Sequence, residues 1–587
     1  MGRARPGVLR LTRVGRRAPI ILLLIAIAAY LWRLNDAPMY LASDEAIIAN
    51  DAYAVATTGR TLDGVLMPLY FYVSISASWF MPYIYYWTAI WLQLLPLAEW
   101  SIRVPTAILG VAGIILMYRV SRRLLDDRVF AVIATALLAC APTYFILSRY
   151  ALDYIYPIPF ILAWLWCLLI GLEPGRSRRW LFAAGLGLGL GFYSYIASIA
   201  LMPIYFALAV VVLRMSKRSW ADAGALAAGF ALPLALFAAW LLQHPDVVRT
   251  TAERYGLVGQ AVSGAPIDIA AIADRYWRFF HPDFLFLTGD SYLPFSTRSA
   301  GVFPLAGALL IAIGVYTSLG PARSPITVML VAAFVVTPLP AALLEDPGAI
   351  RRAMGMLPFG ALLGGLGARQ LARIATVPYL KPAGYFAALA AALAGIGYLG
   401  LIYVQQSRVS PSGLKVAAFS VVLMAMAALA DRMRHGMVLV AGVAAAIAMQ
   451  FVVFQIEYHG EYRLRSAVWL NGNIRGAMLR LIEEHDRRPG SKIYFATLRN
   501  GLGHWDLKNR YLPLYWQFYV VKLGRQDLAA DTVFMERNAD IRMIPPGSVV
   551  LDNIEDPNLE RLFDSGSTRI ADIPEADREP FLTIVVR

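Results

Sequence analysis

Long apolar runs recur through the first 456 residues and then stop. A transmembrane helix takes roughly 20 apolar residues. Runs of that kind fall at about 18–34, 102–120, 129–147, 156–172, 180–195, 196–213, 222–242, 301–318, 326–344, 354–370, 384–404, 415–430 and 437–456. The pattern predicts a polytopic α-helical membrane protein with about thirteen transmembrane helices. The stretch 81–97 is apolar too, but Pro82, Pro96 and many aromatics make it a helix lying in the membrane interface. After residue 457 the pattern changes. An amphipathic helix is predicted near Ser466–Glu484, followed by strand-like runs at Lys492–Thr497, Ser548–Leu551 and Phe581–Val586. The expected domains are therefore a transmembrane region over 1–457, with long external loops at 35–101 and 244–300, and a small C-terminal α/β domain over 458–587.

Composition sharpens this division. The chain has 587 residues, 59% hydrophobic and 16% charged. A soluble protein is about 25% charged. Glu457–Arg587 holds 18 Lys/Arg against 19 Asp/Glu, the balance of a water-exposed domain, whereas Met1–Ile456 holds 35 against 20. That excess of cations sits in the Arg-rich N-terminus and in alternate loops, among them Arg119–Arg128, Arg176–Arg179, Arg214–Arg218 and Arg369–Lys381. It obeys the positive-inside rule and predicts a cytoplasmic N-terminus, an odd number of spans and an extracytoplasmic C-terminal domain. The charge is thus a topology signal, and no nucleic-acid partner is expected. The Arg-rich start could be misread as a signal peptide, but the many later spans favour an uncleaved first helix. Cys140 and Cys167 lie inside apolar runs, so no disulfide framework or zinc spacing is expected.

The polar clusters between spans carry the candidate chemistry. In Ser43-Asp44-Glu45, Ser43 or Asp44 can cap a helix running to about Ala56 along the membrane face. The helix N-terminus favours an ionised Asp44, which can orient and deprotonate a hydroxyl; plain capping with a solvated Glu45 is the simpler reading. In Ser148-Arg149-Tyr150-Ala-Leu-Asp153, Arg149 and Asp153 would share a face if helical, as a site pair or an interfacial ion pair. The segment Arg275–Asp290, with Arg278 and His281, followed by Arg298, interleaves cations with aromatics. It can hold an anionic headgroup or serve as interface anchors. Glu345-Asp346-Pro-Gly-Ala-Ile-Arg351-Arg352 places two arginines outside against the topology trend, which suggests a bound anion unless the neighbouring acids neutralise them.

In this order the clusters resemble the large GT-C glycosyltransferases, specifically the protein O-mannosyltransferase and aminoarabinose-transferase-like group. The matching pieces are Asp44-Glu45, Arg103-Val-Pro105, Ser148-Arg149-Tyr150 to Asp153, Gly191-Phe-Tyr193-Ser-Tyr195, Pro282 to Asp290, and Arg351/Arg352 before Leu357-Pro358. The resemblance spans residues 44–358 and does not cover the tail. It implies a polyprenyl-phosphate-linked sugar donor and inverting transfer to a glycan, lipid or protein acceptor on the outer membrane face. It makes Asp44 the catalytic base with Glu45 as helper, and gives Arg149, Tyr150 and Asp153 roles in arranging acceptor or leaving phosphate. Arg298, Arg351 and Arg352 are candidate phosphate contacts, with His281 in the same substrate-binding set. Ser198 follows the paired tyrosines and Arg298 stands eight residues beyond Asp290, which departs from the headgroup positions of related members. No cofactor is required and no metal site is expected, although Asp44 and Glu45 could bind Mg²⁺ or Mn²⁺.

With a sugar substrate implied, Trp505, Tyr511, Tyr515, Trp516 and Tyr519 could stack on it, but packing in the core of the tail is the favoured reading. The implied location is a bacterial inner membrane, among its lipids. A polytopic transporter or lipid-linked sugar flippase is the alternative, yet it should show internal repeats and mid-membrane charges. The charges here concentrate at the outer mouth. An O-antigen-ligase-like enzyme would favour a large mid-chain loop with Arg and His over an early Asp-Glu.

Overall fold

The computed structural model describes residues 13–74, 78–254, 268–321, 323–344, 349–374, 436–496, 504–535, 540–554, 556–576 and 579–587. The expected spans at 384–404 and 415–430, and the acids Glu345 and Asp346, lie outside the described residues. The chain forms two compact units. One comprises Met1–Trp32, Ala107–Ser148 and Asp153–Ile456; the other comprises Arg33–Thr106, Arg149–Leu152 and Glu457–Arg587.

Among the described residues, six helices are long and apolar enough to cross a membrane: Glu99–Leu125, Asp153–Gly171, Ser198–Met215, Trp220–Gln243, Pro325–Ala342 and Met437–Ala467. Shorter apolar helices at Arg17–Leu31, Arg128–Ala139 and Ala306–Leu319 occupy three further predicted positions. The expected single span at 129–147 is two pieces, Arg128–Ala139 and Pro142–Leu147. Pro142 cannot continue the preceding helix and instead starts a new one at its first turn.

Within the first unit, glycines set how close the helices come. In the pair Ala306–Leu319 and Met356–Ile374, a Cβ on Gly314 would sit 1.9 Å from the Leu363 carbonyl oxygen, and one on Gly367 would sit 1.8 Å from that of Leu310. The two sites are reciprocal, each glycine facing the carbonyl four residues before the other. Such small-residue seams are how helices pack where water exclusion supplies no force.

The second unit has a helix at Ser43–Thr58, a short antiparallel pair of strands β1 (Phe71–Val73) and β2 (Ser78–Phe80), and a helix at Pro82–Leu92. Its C-terminal residues build a five-stranded sheet from β3 (Ile493–Phe495), β4 (Thr532–Phe534), β5 (Val549–Asn553), β6 (Thr568–Asp572) and β7 (Leu582–Val586), in the order β4-β3-β5-β7-β6. β3 runs parallel to β4 and β5; β7 runs antiparallel to β5 and β6. Val550 and Val585 of the sheet pack on Leu559 and Leu562 of the helix Pro557–Asp564.

The amphipathic helix expected at Ser466–Glu484 is interrupted. Arg463–Ala467 ends in a tight turn, Asn471 and Gly472 take left-handed backbone angles, and a new helix runs Ile474–Asp486. Asn473 caps it by accepting the Gly476 N–H at 2.9 Å. The long helix His504–Lys522 packs on Ser43–Thr58. Asn50 donates to the Leu514 carbonyl at 2.8 Å, and the Tyr515 hydroxyl donates to that of Leu41 at 3.0 Å. Tyr515, Trp516 and Tyr519 are buried.

Candidate active site

The Asp-Glu pair opens the helix Ser43–Thr58. Ala42, rather than Ser43 or Asp44, occupies the capping position, and its N–H donates to Glu45 Oε2 at 3.0 Å. Both acids lie in the first turn, where the helix dipole favours negative charge. Asp44 is half-buried. Glu45 is not the solvated residue of the simplest sequence reading: it and Arg103 are each 0% exposed.

Their pairing is bidentate. Arg103 Nε donates to Glu45 Oε1 at 2.8 Å, and Nη2 donates to Oε2 at 2.8 Å. The Ala151 N–H also donates to Oε1, at 2.9 Å. Remaining guanidinium hydrogens go to the carbonyls of Leu34 at 2.9 Å, Pro38 at 2.7 Å and Tyr40 at 2.7 Å. A buried ion pair is tolerable only when its hydrogen-bonding capacity is used in this way. Each Glu45 oxygen accepts two N–H groups, so the Glu45 carboxylate is fully engaged, while Asp44 stands half-buried beside it in the same turn.

Arg149 and Tyr150 belong to the same unit. Arg149 is fully buried; its Nη2 donates to the Ala37 carbonyl at 2.9 Å, and its guanidinium lies 5.5 Å from the centre of the Tyr458 ring. Tyr150 is buried, and burial, reinforced by Tyr462, Tyr458 and the Glu45 charge, pushes its phenol well above the usual range. It stays a neutral hydrogen-bond donor. Arg149 and Asp153 do not lie on one helix. Residues 148–152 form turns and bends, and Asp153 starts the tight helical turn Asp153–Ile155 in the other unit.

The first unit gathers a separate set. The turn Ala349–Arg352 carries Arg351 and Arg352. The Arg351 guanidinium lies 6.0 Å from the Tyr154 ring centre and 5.6 Å from that of Phe295. Tyr154 meets Tyr195 and Phe295 edge-on, each at 5.5 Å. Arg352 is buried, and Arg298 is exposed with a left-handed backbone. The exposed His281 accepts the Asp283 N–H through Nδ1 at 3.3 Å.

Three side chains here had no role assigned from sequence. Arg103 was visible only as part of a motif. Tyr458 lies where polar residues interrupt the last apolar run, a signal the hydropathy pattern does contain. Asp290 closes a Gly-Asp motif, yet only the coordinates show that it holds the Ile350 N–H. Among the described residues, no three His, Cys, Asp or Glu side chains are grouped to hold a metal ion.

Comparison with known proteins adds two findings. Residues 80–242 match the family model described as dolichyl-phosphate-mannose-protein mannosyltransferase. No curated protein matches the sequence. Among solved structures, ArnT from Cupriavidus metallidurans bound to undecaprenyl phosphate has a similar fold, with a TM-score of 0.54, 15% identity and 98% of each chain covered. The apo state of the same protein gives 0.52, with 15% identity and 96% and 97% covered. With a mannosyltransferase-like sequence over residues 80–242 and an ArnT-like fold over nearly its whole length, the chain resembles the GT-C glycosyltransferases of the mannosyltransferase and ArnT type.

Proposed function

We propose that this chain is a multi-pass membrane glycosyltransferase that moves a sugar from a polyprenyl-phosphate donor to an acceptor hydroxyl, with inversion. The observation that carries the proposal is the contrast within one helical turn. Glu45 is locked by Arg103, Ala42 and Ala151, while its neighbour Asp44 is half-buried at the positive end of the helix. Glu45 then acts as a positioning residue rather than a proton carrier, and Asp44 is the base.

The rest of the chemistry suits the residues available. A polyprenyl phosphate leaves as a stable anion, so no general acid is required. What it needs is cations whose hold strengthens as charge builds on the bridging oxygen. Arg351 and Arg352 fit that role, and Arg298, whose charge acts on Asp290 as that of Arg351 does, is a third candidate. The neutral Tyr150 phenol and the buried Arg149 suit orientation of a polar group. The bound undecaprenyl phosphate of the ArnT structure supports a carrier of this class. The cation distribution supports a cytoplasmic N-terminus and reaction on the outer face of a bacterial inner membrane, with residues 458–587 on that side.

The test is mass spectrometry of polyprenyl-phosphate sugars and envelope glycans in cells carrying wild-type chain, Asp44→Asn or neither. One lipid-linked sugar should accumulate equally in the latter two. Unchanged profiles would remove the transferase reading.

A further inference from the structure

Asp290 is a buried carboxylate, 1% exposed, that belongs to none of the roles assigned above. Its two oxygens do different work. Oδ1 accepts the Tyr292 N–H at 2.8 Å, within its own loop. Oδ2 accepts the Ile350 N–H at 2.9 Å, sixty residues away and one residue before Arg351. The loop around Asp290 is itself fixed. Gly289 takes a left-handed angle of φ 73°, and a Cβ there would lie 2.5 Å from Ser296 Oγ, so only glycine fits. Ser296 Oγ donates to the Thr288 carbonyl at 2.7 Å, which folds the loop back on itself. Phe295 of that loop is one of the two rings beside the Arg351 guanidinium.

We infer that Asp290 is a positioning residue: by holding the Ile350 N–H it presents Arg351 against Tyr154 and Phe295 for a phosphate ligand. The inference rests on the proposed phosphate role of Arg351. Carboxylate-to-N–H bonds are stronger than neutral ones and directional. An arginine held by its backbone and flanked by rings needs little ordering when an anion arrives. Burial lifts the Asp290 carboxyl, while the Tyr292 and Ile350 N–H groups and the Arg351 and Arg298 charges pull it back toward the ionised form. The bond from the Ile350 N–H ties the Asp290 carboxylate to Arg351 through the main chain, beside the attraction between the two charges.

Asp290→Asn tests this with little change in shape. Because both oxygens accept N–H groups, an amide must turn its NH₂ toward one of them and lose that bond. Purified full-length protein in detergent is titrated with undecaprenyl phosphate, and hydrogen exchange is followed over residues 349–353. The expected result is roughly tenfold weaker binding together with faster exchange at Ile350. Arg351→Gln should weaken binding similarly without speeding that exchange. The double variant should bind no worse than Arg351→Gln alone, because Asp290 acts through Arg351. Asp290→Ala, which can accept neither N–H, is measured alongside; additive losses, or an unchanged Ile350 exchange in both Asp290 variants, overturn the positioning role. Unchanged binding in Arg351→Gln removes the phosphate role of Arg351, and with it the presentation of Arg351 for phosphate, even if Asp290→Asn still frees the Ile350 amide.

Discussion

Arg103 and Glu45 face each other through two parallel hydrogen bonds of 2.8 Å, with no solvent reaching either side chain. The same guanidinium gathers the carbonyls of Leu34, Pro38 and Tyr40. The pair therefore fixes both the start of the Asp44 helix and the path of the chain into it.

Removing one partner strands the other charge away from water. Glu45→Gln is expected to cost about 3–5 kcal/mol, seen as a lower Tm of the purified protein, with transfer activity lost in parallel. Arg103→Lys should fare little better, because an ammonium cannot span the carboxylate and three carbonyls at once. A Tm within a degree of wild type for Glu45→Gln would contradict this account.

Asp44→Asn should behave in the opposite way. Its half-buried side chain is not part of the Glu45 clamp and asparagine keeps its size, so Tm should fall much less than in Glu45→Gln. Turnover should fall by roughly 100- to 10,000-fold, the usual contribution of a positioned base. Glycosyl transfer in proteoliposomes, alongside thermal unfolding, separates the two substitutions.

The arginines of the first unit should differ among themselves. Arg351→Gln is expected to raise KM for the lipid-linked donor by roughly tenfold, the worth of one charge-assisted contact. Arg352→Gln should also lower Tm, because this side chain is buried. The exposed Arg298→Gln should have the mildest effect on both. Initial rates over a range of donor concentrations would show a different order if these assignments are wrong.

The tail contains a pH-sensitive pair. Asp552, at a buried position of β5, has its carboxyl held well above the usual carboxylate range by burial and by the neighbouring Asp556. A raised folded-state value means the native form binds its proton more tightly than the unfolded chain. The resulting stability is full below about pH 3.9, the ordinary carboxylate value, and disappears as pH rises through the raised value. Asp552→Asn mimics the protonated form, its oxygen accepting the Asn553 N–H as the aspartate does at 2.8 Å. It should raise Tm at neutral pH and flatten the fall of Tm as pH rises above the ordinary carboxylate value of about 3.9.

Hydropathy located helices well because each apolar run is a local property. It failed where a break depends on one residue, as at Pro142 within the expected span 129–147 and at Asn471-Gly472 in the tail. β3, β5 and β7 were legible because their strand-like runs are apolar. β6, with sequence Thr-Arg-Ile-Ala-Asp at a sheet edge, and the three-residue β4 have no such signature. In the candidate site, Asp44 and the arginines were visible as polar residues in apolar surroundings. The use of Glu45 was not, since its partner stands 58 positions later. Nor was the link from Asp290 to Ile350, because a carboxylate bound to a main-chain N–H leaves no trace in the partner's identity.

The carbonyls of Leu34, Pro38 and Tyr40 wait for an arginine made some sixty residues later, and Leu41 and Asn50 find partners only near position 515. The segment bearing the proposed base is made long before the residues that complete it. A nascent chain halted before the helix His504–Lys522 would carry the six long apolar helices found among the described residues with that segment still unfinished, so a C-terminal truncation would remove support for the Asp44 helix rather than a dispensable appendage.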